Sequence, residues 1–193
     1  EIPMGITKFV AESESDDLKK LVTSSLLASF ILGIMALFFL QLLSHRISDL
    51  FGITESLSYF KLISYNFPLF MINSTMQCIL NGLSKFKSYS VIASFRKISI
   101  PILTFIFILL GYDLKGTFFA IIISSFLTFV ILFYNIKEYL RVISINDFGI
   151  NFLEMSKFSS QLYFANSLSQ ITTRLDIFCI GILLDKEKVG IYS

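Results

Sequence analysis

The stretch LVTSSLLASFILGIMALFFLQLL, residues 21–43, runs 23 positions without a charged side chain. As a helix rising 1.5 Å per residue it would reach about 34 Å, enough to cross a bilayer core of roughly 30 Å. Ser24, Ser25, Ala28, Ser29 and Gly33 put small residues where a neighbouring helix can approach closely. The surrounding composition agrees: 54% of the chain is hydrophobic and 16% charged, with mean hydropathy +0.75. Several apolar runs of this length in 193 residues predict an all-α polytopic membrane protein, a helical bundle with about five transmembrane spans.

The runs fall at residues 21–43, 62–83, 91–112, 116–136 and 158–184. Ahead of them, residues 1–20 mix charges and read as a solvated loop, with Ser15-Asp16-Asp17 as an N-cap and acidic first turn. The chain ends read as interior cuts through a longer transporter-sized protein. The second span is unusually polar: Asn66, Asn73, Gln77 and Asn81 recur at steps of seven, four and four, on one helical face. Amides both donate and accept, which suits sugar hydroxyls but also serves as interhelical glue. Pro68 removes the donor to the Ser64 carbonyl and predicts a kink. SKFKSY, residues 84–89, reads as a short basic turn. Just beyond it, Lys97 reads as snorkelling to headgroups, whereas Arg96 is a candidate for gripping a phosphate bidentately.

The last span, FSSQLYFANSLSQITTRLDIFCIGILL, residues 158–184, holds two charges deep inside, Arg174 and Asp176. Asn166, Gln170 and Arg174 share a face with Ser159 and Tyr163. Arg174 and Asp176 point about 200° apart, so each needs water, substrate or another helix. The face reads either as the wall of a hydrated, charged cavity or as half of a buried ion pair between helices.

Counted by alternating sides, one side of the membrane carries ten basic residues and the other five. The positive-inside rule then places residues 1–20, the SKFKSY turn and the linker at 137–157 in the cytoplasm. The net charge of +2 and the lack of a basic face argue against nucleic acid as a partner. Cys78 and Cys179 lie in apolar runs and His45 is the only histidine, so neither a disulfide framework nor a histidine-based zinc site is expected, and no cofactor. No phosphate-gripping glycine loop, nucleophile elbow or metalloprotease helix is present, and the loop acids are isolated, which disfavours an enzyme.

Three segments resemble one family. EIPMGITKFVAESES (1–15) is similar to the end of the second helix and the following loop of the polysaccharide flippases, the exporters of O-antigen and lipid-linked oligosaccharides. ILNGLSKFKSYSVIASFRKI (79–98) resembles their fourth-to-fifth helix junction, and FSSQLYFANSLSQITTRLDIFCIGILLDKEKVGIYS (158–193) their seventh helix. Their superfamily also contains the multidrug and toxin extruders. The resemblance implies a two-lobed transporter, with residues 1–136 in the N-terminal lobe, 137–157 a cytoplasmic inter-lobe linker and 158–193 the start of the C-terminal lobe. It implies alternating access across the cytoplasmic membrane for a lipid-diphosphate-linked oligosaccharide used in cell-surface polysaccharide synthesis. Arg174 and Arg96 would hold the diphosphate, and Asp176 would either couple an H+ or Na+ gradient or orient an arginine. Two other readings stand beside this one. One is a cation-coupled multidrug antiporter, which should favour carboxylates in its cavity. The other is a membrane-embedded glycosyltransferase or polymerase, which should carry a large polar outer loop.

Overall fold

The computed structural model describes residues 2–13, 15–51 and 57–140. The described residues form six helices: α1 (Ile2–Glu12), α2 (Ser15–Phe51), α3 (Leu57–Ser64), α4 (Phe67–Gly82), α5 (Phe86–Leu109) and α6 (Asp113–Ile136). A 3-10 turn at Lys137–Tyr139 ends the bundle, and Lys85 at the start of α5 lies 4.8 Å over the Tyr139 ring. No strand occurs among the described residues.

Among the described residues, three stretches are long and apolar enough to cross a membrane: Asp17–Ser44 within α2, Phe86–Leu109, and Lys115–Tyr139. Their solvent-facing sides are greasy. Phe38 and Phe39 of α2, Phe105 and Leu109 of α5, and Phe126 and Val130 of α6 are all at least half exposed. Inside, Ser24, Ser25, Ser29, Asn73, Thr75, Ser124, Ser125 and Thr128 are all buried, and Ser29–Thr75, Asn73–Ser125 and Ser99–Ser124 bond from helix to helix. A water-soluble bundle does the reverse. Polar contacts within and apolar side chains without are what a lipid solvent selects. The chain is therefore an all-α, multi-pass membrane protein.

The second expected span, 62–83, is not one helix. The chain stops being α-helical at Tyr65–Asn66, between α3 and α4. Pro68 lies in the first turn of α4, where a missing N–H costs least. The predicted kink is thus a full break, and α4 is only 16 residues long. The third span also differs from expectation. α5 begins at Phe86 and ends at Leu109, not at 91 and 112, so the basic turn shrinks and Lys87 lies inside the helix. Arg96 and Lys97 consequently sit ten and eleven residues from the start of a 24-residue helix, about 15 Å in. Removing them from the loop count lowers the basic asymmetry to eight against five, with its sign unchanged. Residues 1–20 are not a loop either. α1 buries Ile6 and Val10 completely or nearly so, and α2 already begins at Ser15. The fourth span, expected at 116–136, is α6.

α4 is the hub, packing against α1, α2, α5 and α6. Two residues apart on a helix point to opposite sides, and α4 uses this. Thr75 meets Ser29 of α2 at 2.5 Å between hydroxyls, while Asn73 donates through Nδ2 to the Ser125 carbonyl of α6 at 2.8 Å. Interhelical hydrogen bonds in membranes are individually modest. A double-mutant cycle of Ser29→Ala and Thr75→Val, read by thermal unfolding in detergent, should give a coupling of about 0.6–1.7 kcal/mol. Strictly additive effects would show that the hydroxyl pair does not bond. An apolar cluster closes the end of the bundle at which α1, α4 and the start of α5 meet. It includes Ile6, Val10, Val22, Met76, Ile79, Leu80, Ile92, Leu132 and Ile136.

Candidate functional site

The site is built on α4 and the facing half of α5. Asn66, Phe70, Asn73 and Gln77 follow at steps of four, three and four, so they share one face of α4. Asn66 occupies the N-cap position, but its side chain makes no capping bond. It is 7% exposed and Asn73 is fully buried. Gln77 is half-buried. The Oδ1 atoms of Asn66 and Asn73 and the Nε2 of Gln77 are buried with no hydrogen-bond partner among the described residues; so are the hydroxyls of Thr104 and Ser125. A buried polar group left unmade costs roughly 1–3 kcal/mol. The α4 face carries two such amide acceptors and one amide donor, and α5 and α6 add one hydroxyl each, with Ser125 joined to the face by the Asn73 bond to its carbonyl. That set has the chemistry to receive a neutral, hydroxyl-bearing molecule.

Asn73 has a double role. Its donor holds α6, as the glue reading expects, while its acceptor stays open. Asn81, also on the expected stripe, is half-buried on the last turn.

Arg96 is half-buried on α5, and its guanidinium lies 5.3 Å from the centre of the Phe70 ring. That is within cation–π range. Neither α4 nor α5 contains an aspartate or glutamate, so neither helix offers this cation a carboxylate. One turn further, Ser99 meets Ser124 of α6 at 2.5 Å. The structure therefore brings Arg96 up to the Asn66–Asn73 seam through Phe70, two features that the sequence presents 20 residues and more apart. Polar spacing alone does not single out Phe70 as a site residue, although an aromatic at i+4 from Asn66 and i−3 from Asn73 is visible in the sequence. Ser99, Thr104 and the open hydroxyl of Ser125 carry no such signal. Arg174, Asp176, Asn166 and Gln170 lie outside the described residues. Among the described residues no group of three or more His, Cys, Asp or Glu side chains is placed to hold a metal ion.

The sequence profile of the family described as polysaccharide biosynthesis protein matches residues 2–193. The chain belongs to that family. It is the family of the O-antigen and oligosaccharide flippases, whose members are typically transporters rather than enzymes. No curated protein and no solved structure matches the chain. As a member of the polysaccharide flippase family, the protein is a polysaccharide-related membrane transporter. In this family setting, a mid-helix arginine beside a seam of open amides is the arrangement to account for.

Proposed function

We propose that the protein flips a lipid-diphosphate-linked oligosaccharide across the cytoplasmic membrane, for cell-surface polysaccharide synthesis, by alternating access between two lobes. The family match over nearly the whole chain carries this reading. In it, residues 1–136 belong to the N-terminal lobe, 137–157 link the lobes, and 158–193 begin the C-terminal lobe. Arg96 and Arg174 hold the diphosphate, for which a guanidinium supplies paired donors at fixed spacing. The open amides of Asn66, Asn73 and Gln77, with Asn166 and Gln170, meet sugar hydroxyls. Asp176 either responds to an H+ or Na+ gradient or orients an arginine. The lack of carboxylates on α4 and α5 weighs against a drug-cation antiporter.

The test follows transbilayer movement of a polyprenyl-diphosphate oligosaccharide in proteoliposomes. Loss of one charge-assisted contact of about 1.5–3 kcal/mol predicts that Arg96→Ala slows movement roughly ten- to a hundredfold, with Arg96→Lys in between. Wild-type rates in Arg96→Ala would remove Arg96 from the path. Efflux of an organic cation by the wild type, with no movement of the lipid, would replace the reading by an antiporter.

A further inference from the structure

α5 has a second polar line that the seam does not use. Lys87, Ser90, Ser94 and Lys97 recur at steps of three, four and three and are all exposed. They share one face, and that face points away from α4 and α6, which Arg96 and Ser99 contact from the other side of the helix. About 100° around α5 runs an equally regular apolar line, Val91, Phe95, Ile98 and Ile102, also exposed. The polar line stops at mid-helix. Beyond Lys97 comes Pro101, and then Ile102, Phe105, Ile106, Ile108 and Leu109 face outward. Pro101 has no N–H, so the Lys97 carbonyl has no helical donor at the point where the line ends.

Snorkelling does not explain this line. Lys97 lies about 16 Å from the first residue of α5, and its side chain reaches back only about 6 Å. Ser90 and Ser94 fill the interval with hydroxyls where a lipid-facing helix would carry apolar groups. A lysine at this depth marks a route for a polar or anionic guest. No acid occurs anywhere on α5 to neutralise the two lysines. Parallel polar and apolar lines on one surface fit a guest that is itself amphiphilic.

We propose that the first half of α5 is a half-groove for the headgroup of a polyprenyl diphosphate. The diphosphate advances from Lys87 past Ser90 and Ser94 to Lys97 at mid-membrane, while the prenyl chain stays in lipid along Val91, Phe95 and Ile98. This rests on the flippase reading. It adds the track by which the substrate enters from the basic, cytoplasmic end, separate from the Arg96–Phe70 pair on the inner face.

The test uses the intact protein in inside-out vesicles, with Cys78 and Cys179 replaced by serine. Single substitutions Ser90→Cys, Ser94→Cys, Lys97→Cys, Val91→Cys and Ile98→Cys are reacted with a membrane-impermeant thiol reagent. The polar-line variants should label at least tenfold faster than Val91→Cys and Ile98→Cys. A short-chain polyprenyl diphosphate should slow labelling of Ser94→Cys severalfold, and inorganic pyrophosphate at the same concentration should not. Equal labelling of the two lines overturns the groove. Lack of protection by the prenyl diphosphate overturns its occupant, and equal protection by pyrophosphate assigns a soluble anion instead of a lipid. Selective labelling and protection in a protein that moves no lipid-linked saccharide would uphold the groove and reject the flippase reading, so the two fail separately.

Discussion

Gly33→Val should leave little correctly folded protein. A Cβ at Gly33 would lie 2.5 Å from the Cα of Pro68, 3.2 Å from its nitrogen and 3.3 Å from its Cβ. The obstacle is largely main chain, so no side-chain rotation relieves it, and Pro68 is held in the first turn of α4 beside the break. Close approach of this kind is the reason small residues are placed between membrane helices. Even Gly33→Ala must separate α2 from α4 and strain the Ser29–Thr75 hydroxyl pair one turn away. Overpacking by one methyl costs about 1–3 kcal/mol where neighbours can shift, and the branched valine adds to that. The measurement is monodisperse yield and melting temperature in detergent. Gly33→Ala should melt several degrees lower, and Gly33→Val should elute chiefly as aggregate. Adding Pro68→Ala should not restore Gly33→Ala, because the offending Cα remains. Wild-type melting of Gly33→Ala would mean that α2 and α4 are further apart than described.

Gly82→Val should be nearly as damaging, at the other end of α4. A Cβ there would lie 2.7 Å from the carbonyl oxygen of Thr7 and 2.8 Å from Cβ and Cγ1 of Val10. This is the point at which α1 is fastened to the hub. Ile6 and Val10 are buried on α4, and the Thr7 hydroxyl donates to the Cys78 carbonyl at 3.2 Å. Displacing α1 would open the apolar cluster that closes this end of the bundle. Limited proteolysis gives the specific readout: in Gly82→Val, cleavage should appear early around Lys8, which is protected less well once α1 lifts away. Val10→Ala should not rescue Gly82→Val, since the Thr7 carbonyl still collides. Unchanged cleavage and melting would show that α1 is not docked there.

These two glycines show how far the sequence can be read. Charge-free runs at 21–43 and 116–136 announce α2 and α6 directly, because hydropathy alone sets them apart from loops. The start of α5 escapes a hydropathy reading because Lys87 adds a charge without interrupting the helix, which lysine tolerates well. α1 escapes it for the converse reason. Its buried side is little more than Ile6 and Val10, too short for a periodicity to stand out among Lys8, Glu12 and the acids that follow. For the site, the amide stripe is legible as a spacing, and Pro68 as a disturbance. That Pro68 marks a complete break, resting on Gly33 from another helix, is a tertiary fact. So is the pairing of Ser99 with Ser124, which depends on the register of the α5–α6 hairpin. Phe70 joins Arg96 to the stripe only once α4 and α5 are set side by side.

The break at Tyr65–Asn66 also bears on how the protein is made. α3 has 8 residues and α4 has 16, about 12 and 24 Å of helix, and neither alone reaches across roughly 30 Å of hydrocarbon. With buried amides along its face as well, α4 is a poor substrate for autonomous insertion at the translocon. α2, long and charge-free at its centre, is apolar enough to insert by itself, and its Gly33 and Ser29 meet α4. The expected order of biogenesis follows: the polar segment should be held back until its apolar predecessor is in the bilayer, and the two should leave the translocon as a pair.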